Sequence, residues 1–293
     1  MAVPIQVIRL GVLGVAIAGF VTFKYAAAGM VKDKIGMAMT KANIPSEYVS
    51  YDASVDLLGF NTHLEDIKIN FPGQETIEID EITINDFDSD HDIPEFVNIE
   101  IEGLEVKKVL KHSPFARMTR GLLKDMDEAR LNFAINYEFD AENQILNIKE
   151  MSESVDNLGK ISFSTVLHNV KSIQMLVQSI MLNPNAILIG KSELAYEDDS
   201  LVNKLMLMNA EKEKISLNQY KDRMLEMMNK ELNKVDKKEN SDLEKELLSK
   251  MISFIKNPDE FEISINPKKP MSFREMTRGN PDANIKKMNL EIN

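Results

Sequence analysis

The sequence predicts an α+β protein: an N-terminal membrane helix, a curved and mostly antiparallel β-sheet with packed helices, and a C-terminal helical insertion. Three observations predict it. An uncharged apolar segment occupies residues 10–23. Strand patterns of period two recur from Tyr48 to Tyr196, and from Leu201 to Phe254 the apolar period lengthens to about 3.6 residues.

The apolar segment comes first in the chain. Residues 1–28 read as a signal anchor or a signal peptide. The run itself is shorter than the roughly 20 residues that cross a bilayer. Residues 5–8 and 25–30 can lengthen the helix while Arg9 and Lys24 reach for the headgroups. Ala26 and Ala28 supply the small residues that cleavage after Ala28 requires. Lys24, Lys32 and Lys34 follow the segment and only Arg9 precedes it, which by itself holds the body in the cytoplasm. The very short leading tail and the Ala-x-Ala site point instead to export, which is the orientation expected here.

Residues 29–45 form a juxtamembrane helix, with Val31, Ile35, Met39 and Ala42 at helical spacing and Pro45 closing it. A β-rich body with two helices follows over 46–198. Three of its strands share one pattern, Leu64-Glu-Asp-Ile-Lys-Ile69, Ile79-Asp-Glu-Ile-Thr-Ile84 and Ile101-Glu-Gly-Leu-Glu-Val106. Each places two non-apolar residues side by side, so strict alternation fails there and a bulge or a change of face is expected. Ser113-Pro114 caps a helix running to about Met126. Alternation over 131–139, the turn Asp140-Ala-Glu-Asn143 and a strand over 145–148 form a hairpin. A strand over 159–167, a helix over 170–181 and a strand over 186–196 complete the body. Residues 199–257 hold three amphipathic helices, and residues 258–293 return as C-terminal strands that pack back on the body, the last over 285–292.

Composition limits the function. A formal net charge of −12 and a pI near 5.0 oppose binding to a polyanion, so no nucleic-acid partner is expected. The absence of cysteine removes disulfides, thiolate metal sites, iron–sulfur clusters and cysteine nucleophiles together. Six tyrosines and no tryptophan supply few platforms for stacking sugars or bases.

Polar clusters carry little chemistry at this level. Asp88-Ser-Asp-His-Asp92 begins like a calcium loop, but Ile93 and Ile99 stand where such a loop needs Gly and Glu, which leaves a solvated turn. His63, His91, His112 and His168 have no zinc spacing. Glu197-Asp-Asp199 stands where a helix begins, and there acidic groups meet the helix dipole, with Ser200 as cap. No phosphate-binding glycine loop or nucleophile elbow occurs. Eighteen methionines, several on residues 201–228, fit the core of a helical bundle. No catalytic residue, cofactor or metal is expected.

The strand block Val55-Asp-Leu-Leu-Gly-Phe60, leading into Leu64-Glu-Asp-Ile-Lys-Ile69 behind a single N-terminal span, is similar to bacterial single-pass envelope proteins of the YdgA and AsmA-like kind. Phe254-Ile-Lys-Asn-Pro258 and Phe261-Glu-Ile-Ser-Ile-Asn-Pro267-Lys-Lys-Pro270 resemble a tail of uncharacterised proteobacterial membrane-anchored proteins. The resemblance implies the bacterial inner membrane, a periplasmic body and a part in lipid or outer-membrane homeostasis. It transfers no catalytic residue. The expected function is therefore non-enzymatic contact with lipid or another apolar ligand, through a groove lined by Ile69, Ile79, Ile84, Ile101 and Val106. A scaffold that binds an envelope protein through helices 201–256 is the alternative.

Overall fold

The structure, a computed structural model, describes residues 48–56, 61–70, 73, 76–88, 91, 93–105, 129–235 and 242–293. The expected membrane segment 10–23, the juxtamembrane helix 29–45 and the helix from Ser113 lie outside these residues. Among the described residues no helix is long and apolar enough to cross a membrane.

In chain order the elements are β1 (Val49–Val55), β2 (Thr62–Ile69), β3 (Ile77–Phe87), β4 (Phe96–Glu105), β5 (Arg130–Asp140), β6 (Ile145–Val155), β7 (Gly159–His168), α1 (Ile173–Leu182) and β8 (Leu188–Asp198). Then come α2 (Leu201–Glu213), α3 (Leu217–Val235), α4 (Asp242–Lys256), β9 (Glu260–Ile265), β10 (Met271–Ser272), α5 (Phe273–Thr277), α6 (Pro281–Met288) and β11 (Leu290–Ile292). The strands make one eleven-stranded sheet in the order β1-β2-β3-β4-β5-β6-β7-β8-β9-β11, with β10 on β8.

This corrects the expected fold class. Among the described residues a long antiparallel sheet dominates, in place of a smaller curved sheet with packed helices. The physical reason is that each strand of a meander leaves one edge of N–H and C=O groups open, and the next strand satisfies it. The three helices α2 to α4 fill one connection, and β9 then returns to pair with β8 through Ser192↔Ile265 to Glu197↔Glu260, so the ladder continues past them.

Two compact units divide the chain, Met1–Glu138 and Phe139–Asn293. In the first, the shared strand pattern becomes a crease. Glu65 pairs with Glu81 and Ile67 with Ile79, so the two-residue interruptions of β2 and β3 lie opposite each other and their mutual register is kept. Glu81 pairs with Glu102, which carries the crease into β4, where the register with β5 shifts between Ile101 and Leu104. Asp66 and Gly103 take φ of 52° and 76°. These turns restore Ile67 and Leu104 to the face already occupied by Leu64 and Ile101, and all four are buried.

In the second unit, β6, β7, β8 and β9 pair in sequence. The tail differs from expectation. Residues 281–288 are helical, because the Asn280 side chain accepts from Ala283 N–H, Pro281 opens the helix, and Asn289 closes it at φ 47°. Only 290–292 remain extended, on β9.

Candidate functional site

Strand alternation gives the second unit two chemically different sheet faces. On β7, Lys160, Ser162 and Ser164 point one way and Ile161, Phe163 and Thr165 the other, because side chains alternate along a strand. Register extends each set across its neighbours. Met151 pairs with Phe163, Phe163 with Leu194 and Leu194 with Ile263. The adjacent row on the same face is Glu153, Ile161, Tyr196 and Phe261, apolar except for exposed Glu153. Opposite them, Ser152, Ser162, Ala195 and Glu262 form a row of the polar face, where Lys160 Nζ and Ser152 Oγ both donate to Glu150 Oε1, at 3.2 and 2.9 Å.

An antiparallel sheet with one apolar face ordinarily packs that face on a core. Here it stays open. Met151 is 46% exposed, Ile161 47%, Phe163 37% and Leu194 43%. Cover is partial and comes from α4, whose Phe254 meets Tyr196 edge-on at 6.0 Å and Phe261 at 5.9 Å between ring centroids. Beside these rings lies a cleft of roughly 570 Å³, with Phe254 and Phe261 as its apolar part and Ser249, Lys250, Ser253 and Asn257 among its polar lining. Glu246 and Glu260 also line it, so the cleft is open and most residues around the two rings are polar. In the next row along the face, the hydroxyls of Thr165 and Ser192 stand 2.6 Å apart and satisfy one another.

The groove residues expected from the sequence lie elsewhere. Ile69, Ile79, Ile84 and Ile101 are buried in the first unit, together with Leu64, Ile67 and Ile82. Direct pairing joins Ile67 to Ile79, Ile84 to Ile99 and Ile82 to Ile101, so they share one core face; Val106 lies outside the described residues. Met151, Ile161, Phe163 and Leu194 are not among the groove residues that the sequence pattern predicts. Their signal was the alternation Lys160-Ile-Ser-Phe-Ser-Thr165, which marks an apolar face without saying what covers it.

The acidic turn is more organised than its spacing suggested. Asp88, His91 and Glu95 each bring one ligand atom within 4.8 Å of the others. Buried Asp88 Oδ2 lies 2.7 Å from His91 Nδ1 and accepts from Glu95 N–H at 2.8 Å, which closes the β3–β4 loop by hydrogen bonds. Tyr137 donates to Pro94 O at 3.0 Å, and burial first and Asp88 second push its hydroxyl up to about 12. The three side chains offer a mixed nitrogen and oxygen set to a cation, while the staple itself joins Asp88 to the His91 ring and the Glu95 backbone N–H.

At 197–199 the structure separates two roles. Asp198 Oδ1 caps α2 by accepting from Val202 N–H at 2.9 Å and also accepts from Tyr196 Oη at 2.7 Å. Ser200 makes no side-chain cap and donates to Asn157 O instead.

A family model described only as "Uncharacterized protein" matches residues 152–293, from within β6 through the end of the second unit. The matched region contains Ile161, Phe163 and Leu194. No curated protein matches the chain.

Proposed function

We propose that this is a membrane-tethered, non-enzymatic protein of the bacterial envelope, with its body on the periplasmic side, and that the apolar face of β6 to β9 contacts lipid or another apolar ligand. One observation carries the reading: Met151, Phe163 and Leu194 form a cross-strand row of large apolar side chains that water reaches. A contiguous exposed apolar patch rimmed by polar residues marks an interaction surface. The aromatic cleft at the edge of the face adds a concave element, and segment 10–23 supplies the tether. Native mass spectrometry of the detergent-solubilised full chain tests it. Co-purified lipid or apolar ligand is the expected result, and a bare polypeptide mass overturns the reading.

Met227, 62% exposed on α3, favours a second reading in which α2 to α4 dock a protein partner. Crosslinking in intact cells through this region separates the two, since a stoichiometric protein adduct supports only the second.

A further inference from the structure

We infer that α1 is a membrane-contacting element that enters the acyl boundary of a bilayer. The inference rests on the membrane reading above and adds to it a second point of contact, distinct from the open sheet face.

The first observation is chemical. Between Lys171 and Lys191 the chain carries no charged side chain, in a protein with 28% charged residues. α1 lies within this stretch, in the connection between the antiparallel neighbours β7 and β8.

The second observation is structural. None of the described side chains of α1 is buried, and Met175, Ile180, Met181 and Leu182 are exposed, the last two at 80% and 76%. The helix has ten residues, no side-chain N-cap bond, no acidic residue in its first turn and no basic residue in its last. Helices this short are marginal in water and owe their stability to packing. Among the described side chains Ile173, Leu176 and Ser179 form only a half-buried stripe, and the C-cap bond comes from backbone alone, Asn183 N–H to Ser179 O, so an apolar medium supplies the burial that α1 lacks within this unit.

The chemistry of the exposed surface selects the medium. Protein interfaces are anchored by Trp, Tyr and Arg. α1 has none of these and offers methionine, leucine and isoleucine, which match hydrocarbon. Gln174 and Gln178 can keep hydrogen bonds with headgroups, and exposed Lys171 and Lys191 flank the stretch where phosphates lie. The chain's net charge of −12 disfavours an anionic surface, so the inference commits to a zwitterionic one.

The chain contains no cysteine, so a single introduced thiol reports one position. The full chain carrying Met181→Cys, labelled with an environment-sensitive fluorophore, is reconstituted into phosphatidylcholine vesicles that contain acyl-chain nitroxide lipid. Asn218→Cys, exposed on α3, is the control. The expected result is blue-shifted emission and at least twofold quenching at 181, with water-like, unquenched emission at 218. Leu182→Glu in the labelled chain is expected to abolish the quenching. Unquenched emission at 181 while lipid still co-purifies with the chain overturns the role of α1 alone. Unquenched emission together with a bare polypeptide mass overturns the membrane reading beneath it. A blue shift without nitroxide quenching reports a protein contact and overturns the choice of lipid.

Discussion

Phe163 and Leu194 face each other across β7 and β8 in direct register, and both remain open to water at 37% and 43% exposure. Such a pair stabilises a sheet through cross-strand contact, yet it leaves part of its apolar area for something else to cover. Leu194→Gln is therefore expected to cost little stability, about 1 kcal/mol or less. It is expected to reduce the amount of apolar ligand that co-purifies. Thermal unfolding and mass spectrometry of the same preparation check both halves.

The buried face of the first unit behaves in the opposite way. Ile67 and Ile79 pair directly and are fully enclosed. Ile67→Ala is expected to cost about 2–5 kcal/mol through lost burial and the cavity left behind. It is expected to leave ligand retention at the β6 to β9 face unchanged, which denaturant unfolding and the ligand measurement together test.

Gly103 marks the crease. It adopts φ of 76°, and a Cβ there would lie 2.0 Å from Asp80 Oδ2 and 2.4 Å from Asp80 Cβ. Its N–H also donates to Asn132 Oδ1 at 2.9 Å. Gly103→Ala is expected to destabilise the chain by about 1–3 kcal/mol, the cost of forcing an L side chain into this region, with the displaced Asp80 adding to it. Gly73, with φ of 75° and open space around it, is the comparison site where only the backbone cost applies.

The His63 and Glu81 pair gives the first unit a pH dependence. Nδ1 of His63 lies 2.6 Å from Glu81 Oε1, and Nε2 lies 3.4 Å from Asp56 Oδ2. The bond to Glu81 foremost, helped by Asp56 and opposed by burial, raises the histidine above 6.5. Its contribution is complete below pH 6.5 and is lost as pH rises through the raised value. Glu81 is lowered from 4.5, chiefly by its bond to His63 and then by Thr83, so its contribution is present above pH 4.5 and is lost as pH falls through the lowered value. Stability from this pair is thus greatest between these limits and falls as pH rises through the raised histidine value. His63→Gln is expected to flatten the alkaline arm in denaturant titrations at pH 5.5 and 8.5.

Much of the sheet was readable because spacing within one strand is a local property. Leu64, Ile67 and Ile69 announce β2 and the interruption at Glu65 and Asp66 in one glance. What lies opposite is not local. The alignment of Glu65, Glu81 and Glu102 along a crease depends on register, and the approach of Glu95 to Asp88 depends on the closing of a loop. The helix at 281–288 had a readable signal in Asn280-Pro281 and in the helical spacing of Ile285 and Met288, and period-two alternation belongs only to Leu290 and Ile292, the part of 285–292 that is extended. For the candidate site the limit is different in kind. Phe163 and Ile161 belong to an apolar face by alternation alone, and only the folded arrangement shows that α4 covers one end of it and leaves the rest open.

The central claim is that the face of β6 to β9 holds an apolar ligand. The most direct measurement is native mass spectrometry of the full chain beside two variants purified identically, Phe163→Gln with Leu194→Gln, and Met227→Gln. Bound lipid or apolar ligand on the parent and on Met227→Gln, reduced at least fivefold on the double variant, is the predicted result. Equal ligand on all three chains, or none on the parent, contradicts the claim.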